Sequence, residues 1–268
     1  MLKVGVSSGL VRTFSFEKAV DIIAQTGYRD MEIWMEHLES CKLSNQGFLD
    51  YMRRFNMEYR FHSNVCDTNL TSKNPGIRAE SVRQVLNEIE KAAMLGGRIL
   101  TVHPGRMSSS KDIAEEFWDM QFEAFDLIAK HAQKFGILVG IENMELRPKE
   151  FVLTSSHINK LFASLSYPSV GLTFDIAHCM SVEEPLAFLN RLNAPIVNVH
   201  MSQYAQGLMH LPMYSEKGII DMIEVWRRLE TIYDGPMIIE GFIRNNEVEN
   251  LTRNLYECEH LFRQYSNS

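Results

Sequence analysis

The chain has 268 residues, 45% of them apolar and 23% charged, which is ordinary for a soluble globular protein and enough to bury a sizeable core in one large domain or two small ones. A formal net charge of −7 offers no general attraction to nucleic acid or to an anionic membrane surface, and no run approaches the roughly 18 apolar residues of a membrane span. The N-terminal stretch lacks the pattern of a secretory leader, and Cys41, Cys66, Cys179 and Cys258 are scattered without a Cys-x-x-Cys pair, so reduced thiols and a cytoplasmic location are expected.

One pattern repeats along the whole chain. "LKVGVS" (2–7) reads as a strand, and "SFEKAVDIIAQTG" (15–27) as a helix with Ser15 as N-cap and Gly27 as its stop. "YRDMEIW" (28–34) is a second strand, followed by a helix near 44–55. "MEYRFHS" (57–63) is a third, and a long loop then leads to a helix over 77–96. "RILTVHPG" (98–105) precedes a helix over 111–135, and "ILVGIEN" (137–143) one near 155–165. "SVGLTFD" (169–175) is followed by a helix near 182–192. "PIVNVHMS" (195–202) leads through a long loop to a helix over 218–232, and "PMIIEG" (236–241) to a last helix over 246–264. Strands that alternate with helices pair in parallel, and eight such units in a chain of this length predict a closed (β/α)8 TIM barrel, a single α/β domain over 1–268. An open doubly wound sheet is the competitor, but no Gly-x-Gly-x-x-Gly turn follows the first strand.

Active sites of such barrels lie at the C-terminal ends of the strands. Those ends, from the third strand onward, carry His62, His103, Glu142, Asp175, His200 and Glu240. A lone histidine there is usually a hydrogen-bonded core residue, and a lone carboxylate usually caps the next helix. Six in succession point elsewhere. Glu142, Asp175, Glu240 and His200 on one rim would repel and be costly to desolvate without a cation. Three carboxylates and one imidazole form an oxygen-rich set suited to Mn²⁺, Mg²⁺, Co²⁺ or Zn²⁺. Alternation along each strand places Asn198 on the His200 side, Thr173 on the Asp175 side and Gly140 on the Glu142 side.

The strand ends "GIEN", "TFDIAH", "NVH" and "IIEG" resemble the xylose-isomerase-like TIM-barrel superfamily, which includes ketose 3-epimerases, hydroxypyruvate isomerase, inosose dehydratase and endonuclease IV; the likeness covers almost the whole chain. It implies that Glu142, Asp175, His200 and Glu240 share a metal, and that Glu142 and Glu240 serve as acid and base on opposite sides of a substrate carbon. It also implies that His178, in "DIAH", contacts substrate or metal. The first reading is therefore a divalent-metal-dependent isomerase or epimerase of a small sugar, moving a proton next to a metal-bound carbonyl. Trp34 would wall the sugar, His62 would face it, and Arg244 would meet an anionic group on the substrate if it is not simply a solvated loop arginine.

The alternative is endonuclease-IV-like hydrolysis at abasic sites in DNA. "FHSNVCDTNLTS" and "VHPGRMSSS" resemble that branch, with His62 and His103 supplying a second metal beside Glu142, and His178 with His210 a third. That branch has an Asp two residues before its late histidine; here the residue is Leu208, so the third site is expected to lack a carboxylate. The stretch "AQGLMHLPMYSEKG" offers one lysine and no arginine for gripping phosphates. A degenerate barrel kept only for binding ranks last, because it predicts gaps in the ligand set. Met144, Met201 and Met209 are the methionines expected to border a pocket. Assembly into an oligomer is compatible with all of these readings.

Overall fold

The computed structural model describes residues 3–266. Eight parallel strands close into a barrel: β1 (Lys3–Ser7), β2 (Asp30–Trp34), β3 (Glu58–His62), β4 (Ile99–Val102), β5 (Leu138–Glu142), β6 (Val170–Asp175), β7 (Ile196–Met201) and, last in the chain, β10 (Pro236–Ile239). Between β7 and β10 the strands β8 (Gln203–Ala205) and β9 (Leu208–Leu211) form a separate antiparallel hairpin. That segment was expected to be a loop. Each barrel strand pairs with its sequence neighbours, and β1 closes the ring on β10 with Lys3 opposite Pro236 and Val6 opposite Ile239.

The outer helices follow the predicted places, among them Phe16–Thr26, Asn45–Arg54, Pro75–Met94, Trp118–Phe135, Ser155–Ala163, Pro185–Arg191, Met222–Leu229 and Glu247–Ser266. Ser15 occupies the N-cap of the first without a side-chain cap bond, and Gly27 ends it in the left-handed region at φ 113°, which glycine adopts without steric cost. Short helical turns at Met35–Leu38 and Ile176–Cys179, directly after β2 and β6, were not anticipated.

The apolar core lies between sheet and helices. Val6, Met31, Ile33, Phe61, Val139, Ile141, Phe174, Val199 and Ile239 are fully buried there, each contributing on the order of 1.5–3 kcal/mol through burial. Met201 belongs to this core, so the expectation that it borders a pocket does not hold; as a strand residue next to His200 it points outward while His200 points in. The barrel interior is different in kind. Glu32, Arg60, Thr101, Thr173 and Asn198, each two residues before a strand-end residue or paired beside one, form a buried polar layer beneath the mouth. Gly140 completes it for want of room: a Cβ there would lie 2.1 Å from Thr173 Oγ1.

Candidate active site

The strand ends converge as the alternation requires. Glu142, Asp175, His200 and Glu240 each present one ligand atom, all within 4.8 Å of one another. Asp175 ends β6 and pairs with His200, the last but one residue of β7, and Glu142 ends β5; Glu240 lies one residue beyond β10, its N–H bonded to the Met201 carbonyl at 3.0 Å. His200 Nδ1 lies 3.2 Å from Glu142 Oε1 and 3.5 Å from Glu240 Oε2. All four residues are buried.

Their polar atoms are not all accounted for. Asp175 Oδ2 and Glu240 Oε1 are buried and accept no hydrogen bond among the described residues, and the buried Glu142 Oε2 faces only imidazole nitrogens, His103 Nε2 at 3.0 Å and His62 Nε2 at 3.5 Å. An orphaned buried oxygen costs on the order of 1–3 kcal/mol, and more when charged. Two on one small cluster, beside a third carboxylate and an imidazole nitrogen, match the donor set of a divalent cation. Without a cation the charge is balanced by protons. Burial lowers the proton affinity of His200, but Glu240, Glu32 and Glu142 outweigh it and raise its pKa well above the ordinary range. Burial likewise works to raise the Glu142 carboxyl, yet His200 and His103 hold it well below the usual value. Glu240 goes the other way: burial, then Glu142, Glu32 and Asp175, push it up to about 7, despite His200. Asp175 is raised to about 6, chiefly by burial.

The remaining expected residues gather around this group. His103, just past β4, lies 3.0 Å from Glu142 Oε2, and His62 Nε2 3.5 Å from it, so His62, His103 and Glu142 form a second potential ligand set. Trp34 stacks on His62 with centroids 4.8 Å apart. His178 sends Nδ1 to the Asn143 carbonyl at 2.8 Å, and its Nε2 lies 3.2 Å from His210 Nε2. His210 sits on β9 in the left-handed region at φ 51°, and its carbonyl accepts from Phe242 N at 3.1 Å. A Cβ on Gly241 would lie 2.2 Å from the Leu211 carbonyl oxygen, so only glycine lets the hairpin pack this close to the end of β10.

Two residues were missed. Glu145, in the loop after β5, forms a third group with His178 and His210; a carboxylate is therefore present there, supplied from the loop after β5 and not from position 208 on β9. The path of an irregular loop leaves no periodic signal, so nothing in the sequence could have placed Glu145. Glu32 is fully buried beneath the cluster, 2.7 Å from His200 Nε2. It was legible, because it stands two residues before Trp34 on the same face of the strand.

A cavity of about 290 Å³ opens over these groups, lined by Trp34, His62, His103, Met144, Glu145, His178, His210 and Glu240 together with Arg106 and Arg147. Arg244 is exposed in the loop after β10 and does not line this cavity. Cys66 is exposed and Cys179 buried, and both are free thiols.

A parallel eight-stranded barrel with a carboxylate–histidine cluster at its C-terminal mouth defines the class. The chain belongs to the xylose isomerase-like TIM barrel family, whose model matches residues 20–259. It is 28% identical over 245 residues to an uncharacterized protein of Methanocaldococcus jannaschii, covering 90% of this chain and 84% of that one. Among solved structures it superposes on a D-tagatose 3-epimerase-like protein with a TM-score of 0.88 at 25% identity, covering 99% of each chain. An L-ribulose 3-epimerase gives 0.80 at 17% identity over 99% of this chain and 97% of that one.

Proposed function

We propose that the protein is a divalent-metal-dependent isomerase or epimerase of a small sugar or sugar derivative. The observation that carries this reading is the convergence of Glu142, Asp175, His200 and Glu240, with Asp175 Oδ2 and Glu240 Oε1 buried and unpartnered among the described residues. The likeness to proteins named as sugar 3-epimerases supports it. A bound Mn²⁺, Co²⁺, Zn²⁺ or Mg²⁺ would supply Lewis acidity to a ketose carbonyl. The chain's own residues do the rest. Glu142 and Glu240 have environments that drive their proton affinities apart, one ionised and one near neutral pH, which is the arrangement a base and an acid require. One removes the proton beside the carbonyl and the other returns it. Trp34 and Met144 offer apolar surface to the sugar, and His62 and His178 stand within the same cavity to orient its hydroxyls. The protein incubated with Mn²⁺ or Co²⁺ in deuterated water should incorporate deuterium at the α-carbon of at least one ketose in a broad panel. No exchange across that panel, with metal shown to be bound, overturns the proposal.

A second reading, multi-metal hydrolysis of phosphodiesters at abasic sites in DNA, is favoured by the two further groups, His62–His103–Glu142 and Glu145–His178–His210. It requires two or three ions per chain and chelator-sensitive nicking of a duplex carrying one abasic site. One ion per chain and an intact duplex exclude it.

A further inference from the structure

We infer that Glu32 is a positioning residue that holds His200 as the Nε2–H tautomer and so presents its Nδ1 lone pair to the cation. The inference rests on the metal reading above. Glu32 is completely buried in the middle of β2, where burying a carboxylate costs several kcal/mol and an apolar side chain would pack at no such cost. It faces donors on every side. His200 Nε2 lies 2.7 Å from Oε1; Asn198 Nδ2 lies 2.5 Å and Thr101 Oγ1 3.3 Å from Oε2.

The direction of these bonds is fixed from below. Arg60 Nη1 donates to Asn198 Oδ1 at 3.3 Å, and because a guanidinium has no acceptor, the Asn198 amide must turn its nitrogen toward Glu32. The two hydrogens of that nitrogen go to Glu32 and, at 3.1 Å, to Thr101 Oγ1. None is left for His200 Nε2, 3.2 Å away. A carboxylate only accepts, so the hydrogen of the Glu32–His200 bond belongs to Nε2. Nδ1 is then the nitrogen that faces Glu142 and Glu240. A carboxylate behind a ligating histidine fixes its ring and raises its basicity.

The test is Mn²⁺ titration by calorimetry of wild type and Glu32→Gln, together with NMR of ¹⁵N-histidine protein loaded with diamagnetic Zn²⁺ or Mg²⁺. Glu32→Gln should weaken Mn²⁺ about 10–100-fold, the range typical of such supporting partners. The metal-loaded wild type should show a slowly exchanging proton on His200 Nε2 that the variant loses. Equal affinity in both proteins, or a wild-type His200 ligating through Nε2, overturns the inference. The NMR measurement on wild type decides the matter even if Glu32→Gln does not fold. A wild type that takes up no divalent cation overturns the metal reading itself. A wild type that binds Mn²⁺ no better than the variant overturns only the role of Glu32.

Discussion

Glu142 and Glu240 are the same side chain in two electrostatic settings. Glu142 lies close to His200 and His103, whereas Glu240 feels the repulsion of three carboxylates, Glu142, Glu32 and Asp175, with His200 as its cationic neighbour. Under the proposed function their roles depend on the ionisable carboxyl and not on shape. Glu240→Gln keeps the volume but can neither take up nor release a proton, so it should lower α-carbon deuterium exchange by about 10²–10⁴-fold. Circular dichroism should be unchanged. A Gln variant that exchanges at the wild-type rate would falsify the assignment of Glu240. Most of these residues were readable one at a time. A period of two places His62, Asp175 and His200 at strand ends and Asn198 and Thr173 one layer below them. Glu32 and Arg60 obey the same rule, but a charged residue in mid-strand invites a solvent-facing reading unless the strand is known to line a barrel.

Among the elements, the strands and long helices were predictable because burial on one face imposes a period, and the connections were not. The hairpin β8–β9 is an example: its strands have three and four residues, too few for alternation to stand out, yet it carries His210 into the cavity. The loop after β3 is another. It is pinned by two carboxylates from neighbouring helical segments, Glu88 accepting from Asn64 N at 3.1 Å and Glu36 from Val65 N at 2.8 Å. The second oxygen of each is buried without a partner among the described residues. Burial, with Glu36 adding repulsion, raises the Glu88 carboxyl from 4.5 to about 7. The folded state therefore holds this proton more tightly than the unfolded chain. The stabilisation is fully present below pH about 4.5 and is lost as pH rises to about 7. At about 1.4 kcal/mol per pH unit the loss is on the order of 3 kcal/mol. Glu88→Gln keeps an acceptor for Asn64 and removes the titration. In urea unfolding it should exceed wild type by on the order of 3 kcal/mol at pH 8 and match it at pH 4.5. A difference of the same size at both pH values would show that Glu88 acts by packing alone.

At the scale of the whole molecule, the barrel separates what stabilises it from what it is for. The apolar layer between strands and helices holds the ring closed, while the mouth gathers like charges that no fold would assemble for stability. This conflict has a measurable sign. In the absence of a cation, Glu240 above neutral pH is an ionised group among Glu142, Glu32 and Asp175, and its raised pKa means that ionising it disfavours the folded state. Glu240→Gln removes that penalty, so at pH 8 with a chelator the variant should melt at a higher temperature than wild type. Adding Mn²⁺ works in the opposite direction. At a hundred times its dissociation constant a ligand that binds only the folded state adds about 2.7 kcal/mol, which for a chain of this size is a rise of about 5–11 °C. The Gln variant, with a weaker ligand in place of a carboxylate, should gain only part of this. In calorimetric scans the variant's advantage over wild type with chelator should therefore shrink when Mn²⁺ is added. If the wild-type melting temperature ignores Mn²⁺, or the variant is the less stable protein in both conditions, the cluster is not a cation site whose charge is strained when empty, and the metal chemistry proposed for this barrel has no basis.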